Sequence, residues 1–470
     1  MMRVDTSLDI EDIRGHFPAL KSGFLFGDNS GGSQVLSEVA SRTSDYLLES
    51  SVSGGADYPA SQLASKRIAE AIASAAVLWN ASPAEVLFGP SSTAVVNNIA
   101  LAIDDDINGG EEIITTGEHE SNATPWKRLV KRRPNVNLKF WNHTPIAGRE
   151  SNPYAVEFSV NTLLPLITKR TRLIAFSATS NILGTANDLK EIIRRAREVG
   201  KRRGVRKIEF IVDCVAFSPH RRIDVKDWDV DYAYFSFYKI FGPHLGTAFV
   251  RESALRTSLT SLVHHFLKVD GTSGMLLPGG HGAETVYGSS AVLPYLLSLS
   301  SWKPSMVLQP TSDAEAFQRH KYEVANFAEL RAALGEAFDS IAEYEQKTHV
   351  EPVIQFLRSK WDRGVRVVGD DSLPVRADRT PTISFVVLGL GSGGSRRIVQ
   401  HLDSSKQIGI RNGYFYTYGL VSSLQPPIPD LNVVRVSFVH YTTEDEISRV
   451  IRALDSAIGA VTSAEASNNV

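Results

Sequence analysis

Four short stretches place reactive side chains directly after apolar runs of strand length. In YFSFYKIFGPHLGTAFV (234–250) an apolar run leads into Ser236, Tyr238 and Lys239, and a Gly242–Pro243 turn precedes a second run from Thr247. A lysine on a short, rigid connection beside a sheet loses water. Its charged form is then disfavoured, and the neutral amine can form a Schiff base. A solvated turn lysine is the plain alternative. In IEFIVDCVAFSPH (208–220) an apolar run ends on Asp213, 26 residues before Lys239, one strand–connection–strand unit away. An acid there can cap a helix, ligate a metal or pair with a cationic ring nitrogen. In FGPSSTAVVNNIA (88–100), Ser91, Ser92 and Thr93 open a helix. Hydroxyls and free N–H groups at such an end suit a phosphate, although simple N-capping uses the same residues. In EIITTGEHESNATPW (112–126), His119 or Trp126 could stack on a planar ring; a surface histidine beside a core tryptophan is the alternative. Together they supply a phosphate cradle, a stacking ring, an acid for a pyridinium nitrogen and a Schiff-base lysine. That set suits pyridoxal phosphate.

The elements that must position these groups follow from the pattern around them. Residues 61–79 read as an amphipathic helix. Short apolar runs at 85–88, 112–115, 138–141, 173–176, 209–212 and 232–235 alternate with helical segments such as 189–199. Alternation of this kind predicts an α/β domain with a mostly parallel sheet, whose chemistry collects at the carboxyl ends of strands. From about residue 290 the pattern changes: helices at 324–338 and 350–363, strands at 382–387 and 433–438, and a closing helix at 444–457 predict a smaller α+β unit. The tail 462–470 is expected to fray. The expected division is an N-terminal arm (1–40) packing on the small domain, a large domain (41–295) and a small C-terminal domain (296–470).

Composition narrows the classes. Lys+Arg number 50 and Asp+Glu 52 in 470 residues, which argues against nucleic acid as a partner. The one cysteine, Cys214, allows neither an intrachain disulfide nor a cysteine zinc cluster. The opening residues lack the apolar core of a secretory signal, and no apolar run reaches membrane-span length, so a cytoplasmic location without membrane contact is expected. GLGSGG (389–394) fits a dinucleotide fingerprint but lacks the following βαβ context; a loop between strand and helix is expected. The adjacent His264 and His265 do not make a metal pair, so no metal is expected. The eight basic residues of 194–207 read as a solvated helix and loop face rather than a nucleic-acid patch.

The sequence resembles the class V aminotransferase and cysteine-desulfurase-like group of fold-type-I pyridoxal-phosphate enzymes. The likeness rests on GDNSGGSQV (27–35), SSTAVVN (91–97), EHESNATPW (118–126), SATSNILGT (177–185), VDCVAFSPHRRIDV (212–225), FSFYKIFGP (235–243) and VVRVSFVHYTTEDEI (433–447). It implies a large domain with a mostly parallel seven-stranded sheet between helices, plus a smaller α+β C-terminal domain. It implies that Lys239 bonds the cofactor, Asp213 pairs with its ring nitrogen and His119 stacks on its ring. It puts Ser92, Thr93, Ser236 and Tyr238 at the phosphate, Asn181 near the ring, and Asn29, Tyr416 and Arg435 at the substrate, with Arg435 on the α-carboxylate of an amino acid. PGGHG (278–282) matches a stretch that reaches the neighbouring subunit's phosphate, which implies a homodimer. Two departures matter. Tyr416 stands where desulfurases carry a nucleophilic cysteine, and Ala216 stands where a glutamine usually touches the ring oxygen. The texture of 212–247 is closer to fungal natural-product members, such as the ustiloxin-pathway and loline-pathway enzymes. The implied chemistry is therefore amino-acid decarboxylation coupled to C–C bond formation. Transamination, β-elimination and racemisation stand as alternatives, and persulfide transfer does not.

Overall fold

The computed structural model describes residues 8–267, 273–279, 282–302 and 327–468. Its centre is a seven-stranded sheet. The strands are β1 (Val86–Gly89), β2 (Glu112–Thr116), β3 (Asn137–Trp141), β4 (Thr171–Ser177), β5 (Glu209–Asp213), β6 (Tyr232–Ser236) and β7 (Gly246–Val250). Their spatial order is β1-β7-β6-β5-β4-β2-β3. The run from β6 to β3 is parallel, and β7 is antiparallel to both its neighbours. Every residue of β2, β4, β5, β6 and β7 is buried. Helices cover both faces of a parallel sheet, so its strands read as continuous apolar runs rather than alternations. The structure extends β5 and β6 by one polar residue each, Asp213 and Ser236, past the apolar runs that reveal them.

A second sheet of four strands is built from β8 (Val365–Val368), β9 (Thr382–Val387), β10 (Arg411–Gly413) and β11 (Val433–Ser437). It is antiparallel throughout, in the order β8-β9-β11-β10. The helices Glu351–Ser359, Gly394–Asp403 and Glu444–Asn468 bury their apolar faces with it in a separate core.

Several expectations change. Two strands of the second sheet, β8 and β10, lack an apolar run long enough to reveal them. The final helix Glu444–Asn468 includes residues 462–468 of the tail expected to fray. The helices Ser37–Glu49 and Val292–Ser298 run across the expected divisions at 40/41 and 295/296. In Phe327–Glu345, Leu330, Leu334, Phe338 and Ile341 pack into the core of the large sheet, whereas the core of the second sheet takes Leu25 and then residues from Val350 onward. Packing therefore assigns this helix to the large unit. Near the N-terminus, Leu25–Phe26 pairs with Ile408–Gly409, and Arg14 binds Glu446 at 2.9 Å.

The signals set aside also resolve. In the basic stretch, Arg194 pairs with Glu191 and Glu198, and Arg197 with Asp229 and Asp231. The GLGSGG loop precedes the helix Gly394–Asp403, and Asp430 accepts from the Gly393 N–H at 2.7 Å, so a protein carboxylate already holds that turn. Among the described residues no helix is long and apolar enough to cross a membrane, and no three His, Cys, Asp or Glu side chains gather as metal ligands.

Candidate active site

The carboxyl ends of β4, β5 and β6 open into a cavity of about 520 Å³ closed on its far side by β10, β11 and the 27–31 loop. Lys239, Asp213, His119, Ser92, Thr93, Asn181, Tyr238, Tyr416, Arg435 and Asn29 all line it. Ser236 lies one layer behind, its hydroxyl donating to Ser92 Oγ at 2.8 Å.

Lys239 ends the tight turn Phe237–Lys239 that follows β6. Its Nζ donates to the Ser30 carbonyl. Burial, and then the Arg435 charge, draw its pKa down to about 7, with Asp28 and Asp213 opposing. Near neutrality the amine is therefore substantially unprotonated and nucleophilic.

Asp213 ends β5 directly opposite Tyr234 of β6. Its Oδ2 accepts from the Tyr234 hydroxyl at 3.0 Å and from Ser121 Oγ at 3.5 Å, and its Oδ1 accepts from the Val215 N–H at 2.9 Å. Burial raises its pKa to about 6 despite these donors. It is a desolvated acid whose hydrogen bonds leave room for a cation.

His119 caps the helix Glu120–Arg132. The Ser121 N–H donates to Nδ1 at 3.2 Å, which leaves the ring proton on Nε2. Burial, reinforced by Lys239 and Arg435, lowers its pKa to about 4, so the ring is neutral. Trp126, the other aromatic of that stretch, is fully buried in the core and does not line the cavity.

At the opposite end, Ser91 caps the helix Ser92–Ala102 by accepting from the Ala94 N–H at 3.1 Å. Ser92 is buried and Thr93 is exposed at the lip. The first turn lies hard against β7. A Cβ at Gly246 would lie 2.3 Å from the Ser91 carbonyl carbon and 2.4 Å from the Ser92 nitrogen, so only glycine permits that approach.

Arg435 is 2% exposed on β11. It donates to Asp28 Oδ1 at 2.8 Å and to the Asn181 carbonyl at 3.2 Å, and its guanidinium lies 3.7 Å from the Phe415 ring centre. Asn181 Nδ2 donates to the Phe415 carbonyl at 3.0 Å, and its Oδ1 accepts from Thr417 at 2.7 Å. Asn29 lines the cavity, and its side chain is already engaged. Its Nδ2 donates to the carbonyls of Phe26 and Ser437, and its Oδ1 accepts from Tyr441, so the side chain is spent on holding the 27–31 loop. Tyr416, with φ +58°, is 71% exposed at the mouth, its ring centre 5.7 Å from that of His119. Cys214 is fully buried and its thiol pushed well up, so it offers no thiolate. Gly280 and His281, within the stretch expected to reach a neighbouring subunit, lie outside the described residues.

Several members of the site escape motif reading. Tyr234 and Ser121 reach Asp213 through strand register and a two-residue offset from His119. Thr179, two residues past β4, lines the cavity with a buried hydroxyl that has no partner. Glu118 is buried behind the site without lining the cavity, its pKa raised to about 7, mainly by burial. Asp28 and Arg411 complete the Arg435 cluster. The donor set fits pyridoxal phosphate: a neutral buried amine, a desolvated acid, a neutral ring, hydroxyls at a helix start and the unpartnered Thr179 hydroxyl.

The fold is that of cysteine desulfurases. The enzyme from Thermococcus onnurineus NA1 superposes with a TM-score of 0.73 at 20% identity, covering 98% of this chain and 99% of that one. Among fungal proteins, the "Aminotransferase-like protein FGM3" of Gibberella zeae is 33% identical over 96% of this chain and 99% of its own length. The "Cysteine desulfurase-like protein ustD" of Aspergillus flavus is 28% identical over 97% and 92%. The description "Aminotransferase class-V" matches residues 25–264. The chain belongs to the class V aminotransferase family, whose enzymes depend on pyridoxal phosphate.

Proposed function

We propose that this enzyme removes CO₂ from an amino acid and joins the carbon so exposed to a second carbon centre, by aldol, Mannich or cyclising chemistry, in secondary metabolism. The bound cofactor withdraws electrons from the bonds around the amino acid's α-carbon. The chain's own residues do the rest. Lys239 carries the cofactor and, with its pKa near 7, takes and returns protons at the substrate carbon at neutral pH. Asp213 keeps the proton on the ring nitrogen. His119, neutral and capped onto its helix, presents a flat face to the ring. Ser92, Thr93, Ser236 and Tyr238, with the start of the helix Ser92–Ala102, hold the phosphate. Arg435 seats the substrate carboxylate, and the Asn181 carbonyl helps fix its guanidinium. Orientation of the carboxylate then selects which bond at the α-carbon breaks.

The observation that carries the reading is the composition of the cavity. It joins a lysine, an acid and an arginine, yet Tyr416 stands at its mouth in place of a thiol and Cys214 is sealed in the core. That combination supports carbon chemistry over sulfur transfer, and the natural-product texture of 212–247 supports the setting. The active form is a homodimer with shared sites, a reading supported by the likeness of 278–282 to an intersubunit stretch.

The test is a panel of amino acids incubated with the enzyme in D₂O, with CO₂, keto acid, Cα deuteration and sulfide scored together. CO₂ without net keto acid is expected. Stoichiometric keto acid moves the enzyme to transamination, and rapid sulfide release from cysteine defeats the argument from Tyr416.

A further inference from the structure

Arg435 already has a carboxylate partner within the chain, while its buried Nε has no hydrogen-bond partner. Asp28 Oδ1 lies 2.8 Å from Arg435 Nη2, and Asp28 Oδ2 lies 3.5 Å from Arg411 Nη1. Arg411 and Arg435 stand directly opposite each other on β10 and β11, which puts both side chains on one face of the sheet. The Phe415 ring receives both, its centre 3.7 Å from the Arg435 guanidinium and 5.9 Å from that of Arg411. Side-chain exposure rises outward along the cluster, from 2% at Arg435 through 20% at Asp28 to 62% at Arg411. The local backbone is shaped around the acid. A Cβ at Gly31 would fall 2.4 Å from Asp28 Oδ2.

We propose that Asp28 occupies the carboxylate seat of Arg435 in the free enzyme and yields it to the substrate's carboxylate by moving fully onto Arg411. The proposal rests on the reading that Arg435 takes that carboxylate. A buried guanidinium without a counter-ion is strongly disfavoured, so an empty seat needs a resident anion. Two carboxylates cannot share one guanidinium edge, because like charges a few ångströms apart repel. One must leave when the other arrives, and Arg411 is already within 3.5 Å to receive it. The charges agree with this exchange. Two guanidiniums and one carboxylate leave one positive charge, which a single incoming carboxylate neutralises. Asp28 is thus a positioning residue that sets the affinity of the seat, and Arg411 is its second resting place.

The exchange makes two substitutions act in opposite directions. Propionate has no amine to react with the cofactor, so its binding to the cofactor-loaded protein, measured by calorimetry, isolates the seat from the chemistry. Asp28→Asn removes the competitor, and binding should tighten about tenfold, the equivalent of about 1.4 kcal/mol. Arg411→Gln removes the second resting place, and binding should weaken by a similar factor. Asp28→Glu keeps the competing charge and should bind as the wild type does, which guards against a folding defect in the Asn variant. Binding that is unchanged or weaker in Asp28→Asn, while Arg435→Gln abolishes it, overturns the exchange and leaves the Arg435 seat standing. Binding equal in wild type and Arg435→Gln overturns the seat itself. Binding by neither the wild type nor Asp28→Asn overturns the exchange.

Discussion

Asp213 holds an ordinary carboxylate's charge in a place that disfavours it. Burial lifts its pKa from 3.8 to about 6, although Val215, Tyr234, Lys239 and Ser121 all favour the charged form. The folded state therefore binds this proton more tightly than the unfolded chain. The sign follows from linkage: stability from this group is fully present below about pH 4 and is lost as pH rises towards 6. Each tenfold in proton affinity is 1.36 kcal/mol, so the loss amounts to about 3 kcal/mol by pH 7. Asp213→Asn keeps the shape and an acceptor for the Val215 N–H but carries no charge. Cofactor-free Asp213→Asn should thus be more stable than cofactor-free wild type at pH 7, by about 1–3 kcal/mol, and the two should converge near pH 4. Denaturant titrations at half-unit pH steps measure the difference. Adding pyridoxal phosphate should reverse the order, because the ring's pyridinium supplies the cation that Asp213 lacks and that Asn cannot use. An Asp213→Asn protein that is less stable than wild type without cofactor, by an amount independent of pH, refutes the reasoning and makes Asp213 a structural acceptor.

Two further outcomes follow from the site. Gly246→Ala forces the Ser91–Ser92 backbone to move by more than a side-chain adjustment can absorb; overpacking of this kind costs about 1–3 kcal/mol. The variant should fold by circular dichroism and lose at least about tenfold in cofactor affinity by absorbance titration, and wild-type affinity would remove the phosphate end from this helix start. The enzyme should be dimeric by light scattering at micromolar concentration, and a fully active monomer contradicts shared sites.

How much the sequence reveals depends on how each group is held. Strands β2, β4, β5 and β6 are buried on both faces and therefore stand out as apolar runs, and the reactive groups follow at their ends. Lys239, Asp213 and His119 are legible for that reason. β10 reads RNG, three polar or small residues with no apolar signal, because it is a short strand paired with β11 whose residues are exposed or half-buried. The Asp28–Arg411–Arg435 cluster is invisible in the sequence since its members meet only through the register of β10 on β11 and the fold-back of the 27–31 loop. Asn29 shows the converse. Its motif places it in a loop that lines the cavity, yet its amide donates to the backbone carbonyls of Phe26 and Ser437, which spacing in the sequence does not reveal. Terminal position predicts a frayed tail, yet the helix packed through Ile447, Val450 and Leu454 runs on to Asn468.

The central claim is that Lys239 is the amine that carries the cofactor. Borohydride reduction of the yellow, cofactor-loaded enzyme, followed by peptide mapping, tests it directly. One stable pyridoxyl adduct is expected, on Lys239, and none in a folded Lys239→Ala variant that still binds the cofactor non-covalently. An adduct on any other lysine, or one that persists in Lys239→Ala, contradicts it.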